Sequence, residues 1–271
     1  MAALVWAAAA RSADLRPEWE FGLGASAISL PDYRGSDESR GYVLPFPYFI
    51  YRGERFRIDR QGMRGIFFES ERVELNVSIS ATPPVDSDEN LARAGMPSLD
   101  PTIEIGPRLD LTLARDRARE WSFELRLPVR AAIATDLSHT KHVGWVAYPH
   151  LHLYTRPLLG GVKWNLGMQA GPLFATDDYH QYFYGVDEAF ATPQRPAYRA
   201  GGGYSGALAL VSLSRRFPRF WVGAFARYDT LTGAAFEASP LMRRDYAVMA
   251  GLAIAWVFME SGRKVVVDVD E

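Results

Sequence analysis

Residues 121–133 read Trp121-Ser122-Phe123-Glu124-Leu125-Arg126-Leu127-Pro128-Val129-Arg130-Ala131-Ala132-Ile133. Apolar residues hold the odd positions, and polar ones hold 120, 122, 124, 126 and 130. A period of two marks a strand whose faces meet different surroundings. The same pattern recurs outward in both directions. Val73, Leu75, Val77 and Ile79 alternate with Glu74, Asn76, Ser78 and Ser80. Ile103, Ile105, Leu109, Leu111 and Leu113 alternate with Glu104, Arg108, Asp110 and Thr112. Near the end, Tyr246, Val248, Leu252, Ile254, Trp256 and Phe258 alternate with small residues. No helical stripe of comparable length competes, and only Asp88 to Ala94 reads as a short helical turn within a loop.

Length decides between two kinds of β-protein. Strands of soluble sandwiches are usually about 5–6 residues long. The alternating runs here are mostly longer and suit tilted strands that cross a bilayer with about 9–11 residues. Aromatics cluster at the ends of the apolar faces: Trp19, Phe21, Tyr42, Trp145, Trp164, Trp256 and Phe258. Such clusters fit the interfacial girdles of a membrane barrel. The longest apolar run, Tyr246 to Met259, is too short for a spanning helix of about 20 residues. The expected fold is therefore all-β: a closed antiparallel up-and-down transmembrane barrel.

Twelve strands are expected. Upward strands fall at 17–30, 54–60, 72–82, 119–134, 160–176 and 219–230, and downward strands at 41–51, 63–69, 102–115, 143–155, 203–215 and 244–258. The pair at 54–60 and 63–69 carries the weakest pattern. It is kept as two strands because merging them gives an odd count and reverses the loop asymmetry. Short connections alternate with long ones at 31–40, 83–101, 135–142, 177–202 and 231–243, the asymmetry of periplasmic turns and outer loops. An even count puts both termini in the periplasm. Residues 1–13 read as the residue of a secretory signal, 14–258 as the barrel, and 259–271 as a periplasmic tail or an extra strand at the rim.

The 271 residues contain no cysteine, which excludes a disulfide scaffold, a thiolate metal site and a cysteine nucleophile. A net charge of −2 gives a nucleic-acid partner no electrostatic support. The polar faces assign a lumen network to Arg55, Arg57, Asp59, Glu74, Asn76, Glu104, Arg108, Asp110, Glu124, Arg126, Arg130, Lys163, Asn165 and Gln169. Mixed signs at this density imply paired charges rather than a single-sign selectivity ring. The expected lumen is a filled one, with a narrow solute pathway as the alternative. His150 and His152 share a strand face, but no third metal ligand accompanies them. No Gly-x-Ser-x-Gly motif is present, and no serine–histidine hydrolase set is placed by the sequence. Asp177 to Gly185 reads as a strand end and aromatic girdle running into the longest outer loop. No catalytic residue, metal or cofactor is expected.

Several segments resemble the MipA/OmpV family. They are Pro31-Asp32-Tyr33-Arg34-Gly35-Ser36-Asp37-Glu38, Pro47-Tyr48-Phe49-Ile50-Tyr51-Arg52-Gly53, Arg55-Phe56-Arg57-Ile58-Asp59, Leu75-Asn76-Val77-Ser78-Ile79-Ser80 and Glu104-Ile105-Gly106-Pro107. The resemblance runs from about Trp19 to Phe258, with 31–59 its most specific part. It implies an outer-membrane barrel in contact with membrane lipid and lipopolysaccharide. For the name-giving member it implies a scaffold between a murein lytic transglycosylase and a murein synthase, and other members are associated with osmotic adaptation or adhesion. The signature loop, with Asp32, Tyr33, Gly35, Ser36 and Asp37, is expected to fold into the barrel mouth and pair with lumen arginines.

Overall fold

The computed structural model describes residues 15–59, 62–116, 121–136, 138–155 and 164–266. The expected signal segment and Lys163 lie outside them. Among the described residues there are fifteen strands: β1 (Leu15–Pro17), β2 (Trp19–Pro31), β3 (Ser39–Arg52), β4 (Phe56–Asp59), β5 (Gly62–Glu69), β6 (Val73–Thr82), β7 (Thr102–Arg115), β8 (Trp121–Thr135), β9 (Thr140–Ala147), β10 (His150–Thr155), β11 (Asn165–Ala175), β12 (Gly203–Arg216), β13 (Phe220–Thr230), β14 (Tyr246–Glu260) and β15 (Lys264–Val266).

β2 to β14 form one antiparallel sheet that closes on itself. Its first strand pairs with its last, as in Ala25 with Ile254, and β8, β10 and β11 complete the circuit. β9 and β10 both pair with β8 and both pair with β11, so they are one strand interrupted at Tyr148-Pro149. Proline lacks the N–H a ladder needs, which explains the break. Counted this way the barrel has twelve strands, as the alternation implies. β4 and β5 are separate strands joined at 60–61, and each is short.

The burial of β14 shows which face is which. Ala247, Ala255 and Val257 are buried, while Val248, Leu252, Ile254, Trp256 and Phe258 are exposed. Large apolar side chains pointing outward and small ones inward are the reverse of a water-soluble barrel. They make sense where the outer solvent is hydrocarbon. Phe21, Phe49, Trp256 and Phe258 cluster edge-to-face near one rim. Tyr228 and Tyr246 stack near the other. No helix among the described residues is long and apolar enough to cross a membrane.

Past Phe258, β14 continues to Glu260, and the tail then returns as β15 to pair with β1, Arg16 opposite Val265. The extra-strand reading of the tail thus describes residues 264–266. The segment expected to run from a strand end into a surface loop differs most. Asp177–Tyr184 is a helix, α1, with His180, Phe183 and Tyr184 buried. Tyr179 and Phe183, and His180 and Tyr184, are each four residues apart, so one helical face carries all four rings into the mouth. That apolar face has partners inside the mouth, which a girdle position does not provide.

Candidate functional site

The lumen is layered. At the short-turn end Glu20 accepts from Arg52 (2.9 Å) and Arg216 (2.7 Å), tying β2, β3 and β12 together across the closure. Above it Arg64, 3% exposed, pairs with Asp59 and with Glu74 (3.4 Å). Asn76 donates to Glu74 (2.7 Å) and to Asp110 (3.0 Å). Arg108 binds Asp110 through two nitrogens, and Arg126 binds Glu124 through two nitrogens. Arg130 donates to Glu104 (3.0 Å) and to Ser78 (3.1 Å). A charge this deep is tolerable because each has a partner of opposite sign at hydrogen-bond distance.

Three inner faces use one device: Arg108 with Asp110, Glu124 with Arg126, and Arg227 with Asp229. Each pair stands two residues apart, so both side chains leave the same face of one strand. Asp229 and Arg227 were not singled out from sequence, although the Arg-x-Asp spacing at 227–229 is the same signal as at 108–110. Arg64, Arg52, Glu20 and Arg216 were also missed.

Of the expected network, Arg57 pairs with Glu69 (3.0 Å) at the rim. Asn165 is buried, and Gln169 is half-buried and opposite His152 in register. Arg55 is a correction. It sits in the turn before β4, its side chain is exposed, and its carbonyl accepts from Ile66 N–H (2.8 Å). Alternation holds only while the chain is a strand, and β4 starts at Phe56. His150 Nδ1 lies 2.8 Å from the Tyr148 carbonyl, and no cluster of three metal-ligating side chains occurs among the described residues.

The outer mouth is closed by four connections. Their buried residues, among them Tyr33, Val85, Leu99, Phe183, Tyr184, Leu231, Phe236 and Leu241, form one apolar cluster. Phe236 is fully buried and stacks on Tyr184 at 3.6 Å and 4°, with His180 edge-on at 4.8 Å. Burial raises the phenols of Tyr33, Tyr179 and Tyr184 above their ordinary range, so all three remain neutral donors. Tyr179 Oη donates to Glu104 (3.1 Å), which ties α1 to the lumen network. His180 Nε2 meets Ser205 Oγ, and its Nδ1 lies 2.6 Å from the Gly201 carbonyl. Burial, countered in part by that carbonyl, lowers the imidazole below its ordinary value.

The signature loop does fold into the mouth, but with the opposite polarity to the one expected. Asp32 accepts from Arg40 (2.8 Å) and Asn90 (2.8 Å), both outside the lumen network. The residue that reaches inward is Arg34, which donates to Asp229 (3.0 Å) and to the Ser205 carbonyl (2.8 Å). Tyr33 Oη donates to the Leu241 carbonyl (2.7 Å), and Ser36 Oγ accepts from Asn90. Gly35 has φ +93°, and its carbonyl accepts from Arg243 and Arg244 N–H. Asp37 stands apart, 3.9 Å from Arg243 with both side chains largely exposed. Beneath the plug lies a cavity of about 790 Å³, lined by Arg108, Arg126, Arg130, Tyr148, His150 and His152 among others.

The family model described as MltA-interacting protein MipA matches residues 23–258. The outer membrane protein OmpV of Vibrio cholerae is 24% identical over 244 residues, covering 89% of this chain and 87% of that protein. The putative outer membrane protein YiaT of Escherichia coli K12 is 24% identical over 248 residues, covering 89% and 91%. Among solved structures, OprB of Pseudomonas putida overlaps 89% of this chain and 94% of its own, with 10% identity and a TM-score of 0.38. The outer membrane protease OmpT of Escherichia coli overlaps 92% and 99%, with 8% identity and a TM-score of 0.33. With the family model matched across nearly the whole barrel, this chain belongs to the MipA family and is an outer-membrane β-barrel protein.

Proposed function

We propose that this barrel is a non-enzymatic adaptor that holds murein-remodelling enzymes at the inner face of the outer membrane. The observation that carries the reading is the closure of the outer mouth by a packed apolar cluster. A barrel sealed this way is unsuited to bulk diffusion, which leaves the short-turn end as the face for a partner. There β1 and β15 pair, and Glu18 N–H donates to the Arg263 carbonyl (2.9 Å), so residues 15–17 and 264–266 form a short two-stranded ledge beside the barrel. The family description, MltA-interacting protein, supports a murein lytic transglycosylase as the partner class. The test is retention of a purified lytic transglycosylase on the immobilised, refolded barrel. Retention that is lost when residues 259–271 are deleted supports the adaptor. No retention by a correctly folded barrel overturns it.

The cavity favours a second reading, a narrow path for small solutes. Discrete conductance steps from the refolded protein would support that reading in place of the adaptor.

A further inference from the structure

The wall is not uniformly closed. β3 pairs with β2 along its whole length, Trp19 with Tyr51 through Pro31 with Ser39, without a register shift. On its other side the register partners are Tyr51 with Ile58 and Arg52 with Arg57. β4 ends at Asp59, which pairs with Gly62 at the start of the antiparallel β5. β5 in turn meets β6 no higher than Asn76. Among the described residues, β3 from Ser39 to Pro47 and β6 above Asn76 therefore have no strand between them. The short hairpin hangs from the short-turn end, so the gap lies in the outer half of the barrel. At hairpin level β3 and β6 are three strand spacings apart, roughly 14 Å at about 4.8 Å each.

Strand polarity shows how this edge is built. Arg52 N–H donates to the Glu18 carbonyl on the β2 side, and Gly53 N–H donates to Phe56 on the β4 side. With alternation unbroken, even residues of β3 bond to β2 and odd ones face the gap. Positions 45 and 47 are both proline, so two of the donors that would point into the gap do not exist. An added strand needs such donors, so the prolines disfavour pairing with another chain. The carbonyls of 43, 45 and 47 remain. An open edge at membrane depth is tolerated where it lines a polar or water-filled cavity. The lumen cavity reaches here: it is lined by Phe46, Pro47 and Phe49 of β3 and by Ile79 and Ala81 of β6. Leu44 points inward by register with Ser26, yet is 48% exposed.

Two polar atoms deeper in the same cavity have no hydrogen-bond partner: Tyr148 Oη and His152 Nδ1, on side chains that are more than nine-tenths buried. Buried polar atoms of this kind ask for a partner. We propose that the wall opens laterally between β3 and β6 and admits a single-chain amphiphile from the outer leaflet. Its hydrocarbon chain lies against Leu44, Phe46 and Ile79. Its hydroxyl or carboxyl head enters the cavity that Tyr148 and His152 line.

The test uses the full-length barrel in vesicles containing dodecanoic acid with a photoactivatable group on its chain. Cross-links at the inward-facing Leu44, Phe46 and Tyr48 are expected, beside those at lipid-facing Leu252 and Ile254. Labels confined to lipid-facing residues overturn the portal. The double variant Leu44→Trp, Ala81→Trp fills the gap, and its folding is checked by the gel shift of unboiled sample. Loss of inward labels with the lipid-facing ones retained is expected, whereas inward labels that persist show entry from an end of the barrel and overturn the proposal. Tyr148→Phe is expected to weaken dodecanoate binding about threefold to tenfold, the size of one buried hydrogen bond. Unchanged binding removes the head from this place.

Discussion

Truncating Phe236 to alanine separates the plug from the barrel. The ring is fully buried, stacked on Tyr184 and met edge-on by His180, and its neighbours in the cluster come from four different connections. Burying less apolar area and leaving a void costs about 3–5 kcal/mol for a phenylalanine of this kind. None of that energy resides in the strand ladders, which are continuous from β6 through β14 to β3 and hold the barrel independently. The cost falls on the equilibrium between packed and released loops, as expected for a unit that opens locally. It raises the released population by roughly two to three and a half orders of magnitude. Cleavage by trypsin after Arg93 reads this population. Arg93 is 3% exposed and donates to the Phe183 carbonyl (3.1 Å) and to Ser87 Oγ (3.1 Å), so the bond is accessible only when the plug opens. Where reclosing outpaces cleavage, the rate should rise by the same factor, while the gel shift of the unboiled barrel is unchanged. An unchanged rate at Arg93, or loss of the gel shift in parallel, refutes the idea that plug and barrel are separate.

Further outcomes follow from the same geometry. Arg64→Met leaves Asp59 and Glu74 facing each other in the lumen and should cost about 3–5 kcal/mol in detergent unfolding, with much of it recovered by adding Asp59→Asn and Glu74→Gln. The His180 imidazole is lowered by burial, so the unfolded plug binds the proton more readily than the packed one. The stability it contributes is complete above about pH 6.5 and is lost as pH falls below that value through the lower, packed-state pKa. Near-ultraviolet circular dichroism of the aromatic cluster should therefore weaken on acidification, and His180→Gln should flatten the dependence. Gly35→Val places a branched side chain at φ +93° against Met242 and should cost at least about 1–2 kcal/mol of plug stability, read again at Arg93. Leu252→Arg on the lipid face should cost roughly 2–4 kcal/mol of barrel stability in bilayers, and Ala253→Ser on the lumen face far less.

Much of the barrel is legible in the sequence because a period of two assigns both faces at once. The runs at 102–115 and 121–133 give the register, the lipid face and most of the paired charges together. The pattern is blind to what interrupts a strand without shifting its phase. Tyr148, His150, His152 and Tyr154 keep one face across the break at Pro149, so β9 and β10 read as one strand. It is equally blind to a strand's end, which is how Arg55 came to be placed in the lumen. The helix at Asp177–Tyr184 was hidden because its rings at 179, 180, 183 and 184 also fit an aromatic girdle, and their spacing of four was the missed signal. The inward reach of Arg34 depends on Asp229 lying 195 residues away, a pairing that no local pattern encodes. The gap beside β3 had a signal too. Two prolines two residues apart in one strand face the same side, and a fully paired strand does not tolerate that.

One sample tests whether the barrel is closed and its outer mouth sealed. Protein refolded into detergent is run unboiled and boiled on a gel, then reconstituted into a planar bilayer. A mobility shift on boiling and no porin-like conductance are expected from the native chain, with discrete steps appearing in Phe236→Ala. Large steady conductance from the native chain contradicts the sealed mouth. Absence of the shift in a sample shown by circular dichroism to be folded contradicts the barrel itself.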